Sequence, residues 1–88
     1  MRTTEKSKTR ENIKKLIAEI ARMDIDKIDE GDSIRDDLGI DSLMAVEMLA
    51  AIEKRLGVVI DEAKAFNAVT AKDLIDLVMF YSKKRKRL

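Results

Sequence analysis

The chain has 88 residues, with no cysteine, histidine or proline, and 18 basic against 17 acidic side chains leave it at +1. One domain of this size has a small core, burying about 60–65% of the surface its unfolded chain exposes. The missing cysteine excludes a disulfide framework, a thiol nucleophile and cysteine-ligated zinc, and the missing histidine excludes a Ser-His-Asp triad and the commonest general base near neutral pH. Three aromatics, Phe66, Phe80 and Tyr81, are too few to stack single-stranded nucleic acid.

Residues 1–10 are polar and basic and read as a disordered lead-in. Ile13, Leu16, Ile17, Ile20 and Ala21 then recur at helical spacing, with Thr9 as the expected N-cap. Residues 24–41 lose that period. They carry Asp24, Asp26, Asp29, Glu30, Asp32, Asp36, Asp37 and Asp41 against Lys27 and Arg35, and Gly31 and Gly39 punctuate them. This is a long acidic loop, with a short helical turn expected from Ser33 to Leu38; loops of this length are often functional. Counted from Asp24, the fifth and sixth positions are Ile28 and Asp29, so an EF-hand pattern fails; no metal site is assigned, and weak divalent binding to the carboxylate cluster stays an open alternative.

A second helix is predicted from about Ser42 to Leu56, stopped by Gly57. Val58, Val59 and Ile60 form an extended link, and a short helix follows over Glu62 to Phe66. The last helix starts at Thr70, where Thr70 and Asp73 form an N-cap pair, and it buries Ala71, Leu74, Ile75 and Val78. Three main helices and one short helix, with a long first loop, make an all-α four-helix bundle. The bundle spans 11–82, and residues 83–88 form a basic tail. The longest apolar runs are only a few residues, and Met-Arg-Thr-Thr-Glu-Lys lacks the apolar stretch of a secretory signal. A soluble, cytoplasmic protein is the expectation.

The net charge averages unlike parts. Residues 1–10 carry +3 and residues 83–88 carry +5, whereas 11–82 hold nine basic against sixteen acidic side chains, or −7. An acidic body of this kind suits docking on basic protein surfaces.

The second helix has two apolar faces. At about 100° per residue, Ala45, Met48, Leu49, Ile52 and Leu56 form a core stripe. Leu43, Val46 and Ala50 form a second patch about 130° away, flanked by Glu47 and Glu53. Such a patch is either a partner surface or a site that the long loop folds over. At the start of the same helix stand Asp41, as a cap, and Ser42. A phosphate ester on Ser42 would meet unpaired amides and the positive end of the helix dipole. Ser33 has a similar local setting, but Gly39 breaks its segment and no long helix stands behind it.

Taken together, Asp37-Leu38-Gly39-Ile40-Asp41-Ser42-Leu43, the following Val46, Glu47 and core stripe, and Asp73-Leu74-Ile75-Asp76-Leu77-Val78 resemble the acyl carrier protein family over about residues 11–80. The resemblance implies that Ser42 carries 4′-phosphopantetheine, transferred from coenzyme A by a phosphopantetheinyl transferase, with Asp41 as its motif neighbour. It implies acyl groups held as thioesters on an imported thiol, in a non-catalytic, monomeric carrier. Partners would be acyltransferase, ketosynthase or acyl-ligase type enzymes of fatty-acid, polyketide or related specialised acyl biosynthesis. Leu43, Val46, Glu47, Ala50 and Glu53 would face them. The core stripe, with the apolar faces of the first and last helices, would line a cavity for the acyl chain.

Three features depart from the family. Lys54 and Arg55 follow Glu53, where many members stay acidic. Asp61 follows Ile60, where proline is frequent, and both tails are basic. A different reading is a small helical nucleic-acid-binding or adaptor protein that uses the basic tail or the second-helix patch.

Overall fold

The computed structural model describes residues 4–85 of the chain, with side chains over 8–82. Its helices are α1 (Thr4–Ala21), α2 (Ser42–Leu56), α3 (Glu62–Phe66) and α4 (Ala71–Arg85), with a 3-10 turn at Ile25–Lys27. Helix α1 packs on α2 and α4, and α3 packs on α2. The core is where their apolar rows meet. Ile13 and Ile17 of α1, Met48 and Ile52 of α2, and Leu74, Ile75 and Val78 of α4 are all buried. Each row repeats at three- and four-residue spacing, so one face of each helix turns inward. This is the all-α bundle expected from the periodicity.

Helix α1 starts earlier than the apolar period shows. Residues 4–10 are helical, so they form no lead-in, and Thr9 lies inside the helix instead of capping it. Glu, Lys and Arg are strong helix formers and nothing in the segment breaks a helix. Arg10 also ties this turn to the body, with guanidinium nitrogens 2.8 Å from Glu30 and 3.0 Å from Asp76. At the other end α4 continues through Arg85, so the first three tail residues are helical. The expectations for residues 1–3 and 86–88 lie outside the described residues.

Helix α1 ends without a glycine. Arg22 adopts a left-handed φ of 59°. The Met23 N–H donates to the Ala18 carbonyl at 3.0 Å and the Arg22 N–H to the Glu19 carbonyl at 3.2 Å. Those two bonds make a Schellman stop, with Arg in the place glycine usually takes. Helix α2 stops at Gly57 with φ 67°, as its sequence signals.

The long loop is strapped to the body. Ile28, Ile34, Leu38 and Ile40 are buried in the core. Each such burial contributes about 1.5–3 kcal/mol. The loop's backbone also closes the start of α4. The Ala71 N–H donates to the Asp32 carbonyl at 2.9 Å, the Lys72 N–H to the Glu30 carbonyl at 2.8 Å, and the Ile34 N–H to the Val69 carbonyl at 2.9 Å. Two first-turn amides of α4, orphans in an isolated helix, are satisfied by the loop. Thr70 and Asp73 complete the terminus as a reciprocal capping box.

Candidate functional site

Two of the loop's aspartates serve its own backbone. Asp32 Oδ2 accepts from the Asp29 N–H at 2.9 Å and Asp37 Oδ2 from the Ser33 N–H at 2.7 Å. Short acidic side chains favour turns because they reach nearby amides in this way. Ser33 is enclosed in the same network. Its Oγ accepts from the Asp36 N–H at 3.1 Å, and its carbonyl accepts from Asp37 and Leu38. The expected helical turn from Ser33 to Leu38 is this single hydrogen-bonded turn, paired through Ser33 to Thr70.

Ser42 stands in the opposite circumstance. It is the first residue of α2 and is exposed. Asp41 caps the helix beneath it: its Oδ1 accepts from the Met44 N–H at 2.9 Å and its carbonyl from the Ala45 N–H at 2.8 Å. Among the described residues, the Ser42 and Leu43 amides and the Ser42 hydroxyl have no hydrogen-bond partner. The arrangement leaves two amides and the positive helix end free at an accessible hydroxyl.

A cavity of about 400 Å³ opens beside this serine. Ala45, Met48 and Leu49 of α2 and Leu74 of α4 line it, with Phe66 and Val69 toward solvent and Asp41 and Ser42 also in its wall. Among the described residues, none of α1 lines it, contrary to expectation. Helix α1 fills the bundle side of the core, with Ile13 and Ile17 fully buried, whereas the cavity lies where the short α3 and the loop only partly cover α2. Ile52 and Leu56 of the core stripe also stay outside it. The sequence signal for this arrangement is the brevity of α3: five residues cover less of α2 than a full helix would.

The second apolar patch is not covered by the loop. Leu43 is 69% and Val46 45% exposed, and Ala50, Glu47 and Glu53 are exposed with them. The loop turns instead to α4, whose first amides it satisfies. Lys54, four residues after Ala50, extends the Leu43–Glu47–Ala50 row and is exposed too. Arg55 turns toward α1, where its guanidinium makes two hydrogen bonds to Glu19, at 2.9 and 3.3 Å. That pairing holds the Glu19 carboxyl below its ordinary value. Asp61, where the family often has proline, caps α3 by accepting from the Ala63 N–H at 2.9 Å.

The fold and this corner of it make a small helical bundle with an accessible serine at a helix start. The family model for the phosphopantetheine attachment site matches residues 11–78, and the chain belongs to that family. It is therefore a phosphopantetheine carrier protein, of a family that attaches 4′-phosphopantetheine covalently to a serine. Carrier domains of this kind interact with enzymes that modify them and with enzymes that process acyl groups. The residues present fit such a group: an exposed hydroxyl, two uncommitted amides for the phosphate charge, and a mainly apolar cavity alongside. Among the described residues, no helix is long and apolar enough to cross a membrane.

Proposed function

We propose that Ser42 is the attachment serine and that the chain is a non-catalytic acyl carrier. The observation that carries this reading is the contrast in access within the matched span. Ser33 and Ser42 are its two serines. Both line the cavity, but Ser33 is tied by its amide and hydroxyl into a turn, while Ser42 is exposed at the start of α2 with its hydroxyl unengaged among the described residues. When bound, the group supplies a terminal thiol that holds acyl chains as thioesters. The chain's own residues do the rest. Asp41 fixes the helix start, Ala45, Met48, Leu49 and Leu74 offer an apolar surface to the cargo, and Leu43, Val46, Glu47, Ala50 and Glu53 form the docking face. The exposed apolar patch between carboxylates supports that face as a surface for partners with basic rims.

A chain without histidine lacks the commonest general base near neutral pH for activating its own serine. This supports modification by a separate phosphopantetheinyl transferase with coenzyme A as donor. Acyltransferase, ketosynthase or acyl-ligase type enzymes of fatty-acid, polyketide or related specialised acyl biosynthesis then load and use a monomeric, cytoplasmic carrier. Intact mass after incubation with a broad-specificity transferase, magnesium and coenzyme A tests the reading. One added phosphopantetheine, absent in Ser42→Ala, is expected; an unmodified wild type under several competent transferases contradicts it.

A further inference from the structure

The cleft beside Ser42 contains one basic side chain. Among its lining residues Arg35 is the only cation, and Asp36 and Asp41 are the anions. Arg10, Arg55 and Lys72 are each held by a carboxylate within 3.0 Å. Among the described residues, the Arg35 side chain has neither an ion pair nor a hydrogen bond.

The backbone around Arg35 is fixed. The preceding Ile34 is buried, donates its N–H to the Val69 carbonyl at 2.9 Å and accepts at its own carbonyl from the Ile40 N–H at 3.0 Å. That second bond brings the segment leading into Ser42 beside the Arg35 turn. The following Asp36 and Asp37 are locked to Ser33. A free arginine is thus presented from an ordered turn into the cleft that Ser42 also lines. An exposed arginine alone is usually a solvated charge. Here the shared cleft and the lack of a partner set Arg35 apart from the other arginines with described side chains that are ion-paired.

We propose that Arg35 is an anion-binding positioning residue of this cleft, and that its anion is the phosphodiester formed when Ser42 is modified. The proposal rests on the reading of Ser42 given above. Charge balance is the reason. A phosphodiester on Ser42 adds a negative charge to a wall that already holds Asp36 and Asp41, and Arg35 is the one compensating charge there. A guanidinium suits the task, since its planar donor fork matches pairs of phosphate oxygens and it stays protonated at all working pH values. Arg35 takes no part in a bond-making step. It orients a group that is already attached.

The test compares apo and modified protein. Intact mass first establishes one phosphopantetheine per chain and none in Ser42→Ala; failure at that stage removes the attachment reading and this proposal together. With modification established, two-dimensional NMR of the arginine Nε–H groups at mildly acidic pH reads the contact. The Arg35 signal is expected to shift on modification by more than those of Arg10 and Arg55. The phosphorus resonance of the modified protein is expected to move in Arg35→Gln and to return toward the wild-type position in Arg35→Lys. Circular dichroism checks that both variants keep the helical fold. An Arg35 signal unchanged between apo and modified protein, or phosphorus resonances identical in wild type and Arg35→Gln, overturns the Arg35 proposal and leaves the Ser42 reading standing.

Discussion

Ser33 and Ser42 lie nine positions apart, each directly after an aspartate, and the fold leaves them in opposite hydrogen-bonding states. Ser33 is consumed by structure: its amide, carbonyl and hydroxyl all hydrogen-bond within a turn that is itself paired to the start of α4. Ser42 is spared because Asp41 takes over the capping of α2. The difference comes from the residues C-terminal to each serine. Fifteen residues of uninterrupted helix begin at Ser42, while the turn after Ser33 ends at Gly39, whose φ is 66°. Side chains presented from a helix are held more precisely than those on loops.

The two serines should differ most in modification. Ser42→Ala abolishes phosphopantetheine uptake as read by intact mass, and Ser33→Ala leaves it at the wild-type level. Ser33→Ala instead lowers stability by about 1 kcal/mol, the usual net worth of a hydrogen bond that caps a turn, as measured by urea unfolding. The neighbouring aspartates should behave alike, at similar size. Asp37→Ala and Asp41→Ala each lose a side-chain cap worth about 1 kcal/mol. Asp41→Asn, which keeps the acceptor, stays close to wild type in the same titration.

At the start of α4, two aspartates set an acid response. The N–H groups of Thr70 and Val69 hold the Asp73 carboxyl below its ordinary value of 3.8. The Lys72 ammonium, and then the Arg10 guanidinium, do the same for Asp76. Both groups therefore bind protons more readily in the unfolded chain. Their stabilising contribution is complete above the ordinary aspartate range and is lost as pH falls through 3.8 toward the lower folded values. Thermal midpoints should drop on acidification, and less steeply in Asp73→Asn and Asp76→Asn. The smallest effect lies where the loop begins. Arg22 carries a left-handed φ of 59° that glycine adopts freely. Arg22→Gly should raise stability by up to about 1 kcal/mol, partly offset by the greater freedom of the unfolded chain.

Much of this is legible in the amino-acid order alone. The apolar rows of Ile13–Ala21 and Ala71–Val78 give α1 and α4 their buried faces, Gly57 gives the end of α2, and Thr70 with Asp73 gives the capping box. Local chemistry decides each of these. The polar first turns of α1 are not legible, because an apolar period cannot report residues that stay wet. The Arg22 stop is hidden for a related reason, since the usual glycine signal is absent. The route of the loop is a long-range matter: nothing local to Glu30 or Asp32 says that their carbonyls will satisfy the amides of Lys72 and Ala71. That route also decides the site. It leaves Leu43 and Val46 in solvent and places the cavity between α2, α3 and α4, with α1 outside it. Ser42 and Asp41 are recognisable from the motif, while the position of Arg35 in the same cleft comes only from the folded loop.

With both serines present, the modification is expected to fall on Ser42. Trypsin separates them, because Lys27, Arg35 and Lys54 bound one peptide of residues 28–35 with Ser33 and another of residues 36–54 with Ser42. Peptide mass analysis of the wild-type chain, after transferase and coenzyme A treatment, assigns the added group directly. Phosphopantetheine is expected on the 36–54 peptide alone, with the 28–35 peptide at its unmodified mass. Phosphopantetheine on the 28–35 peptide would contradict the assignment to Ser42.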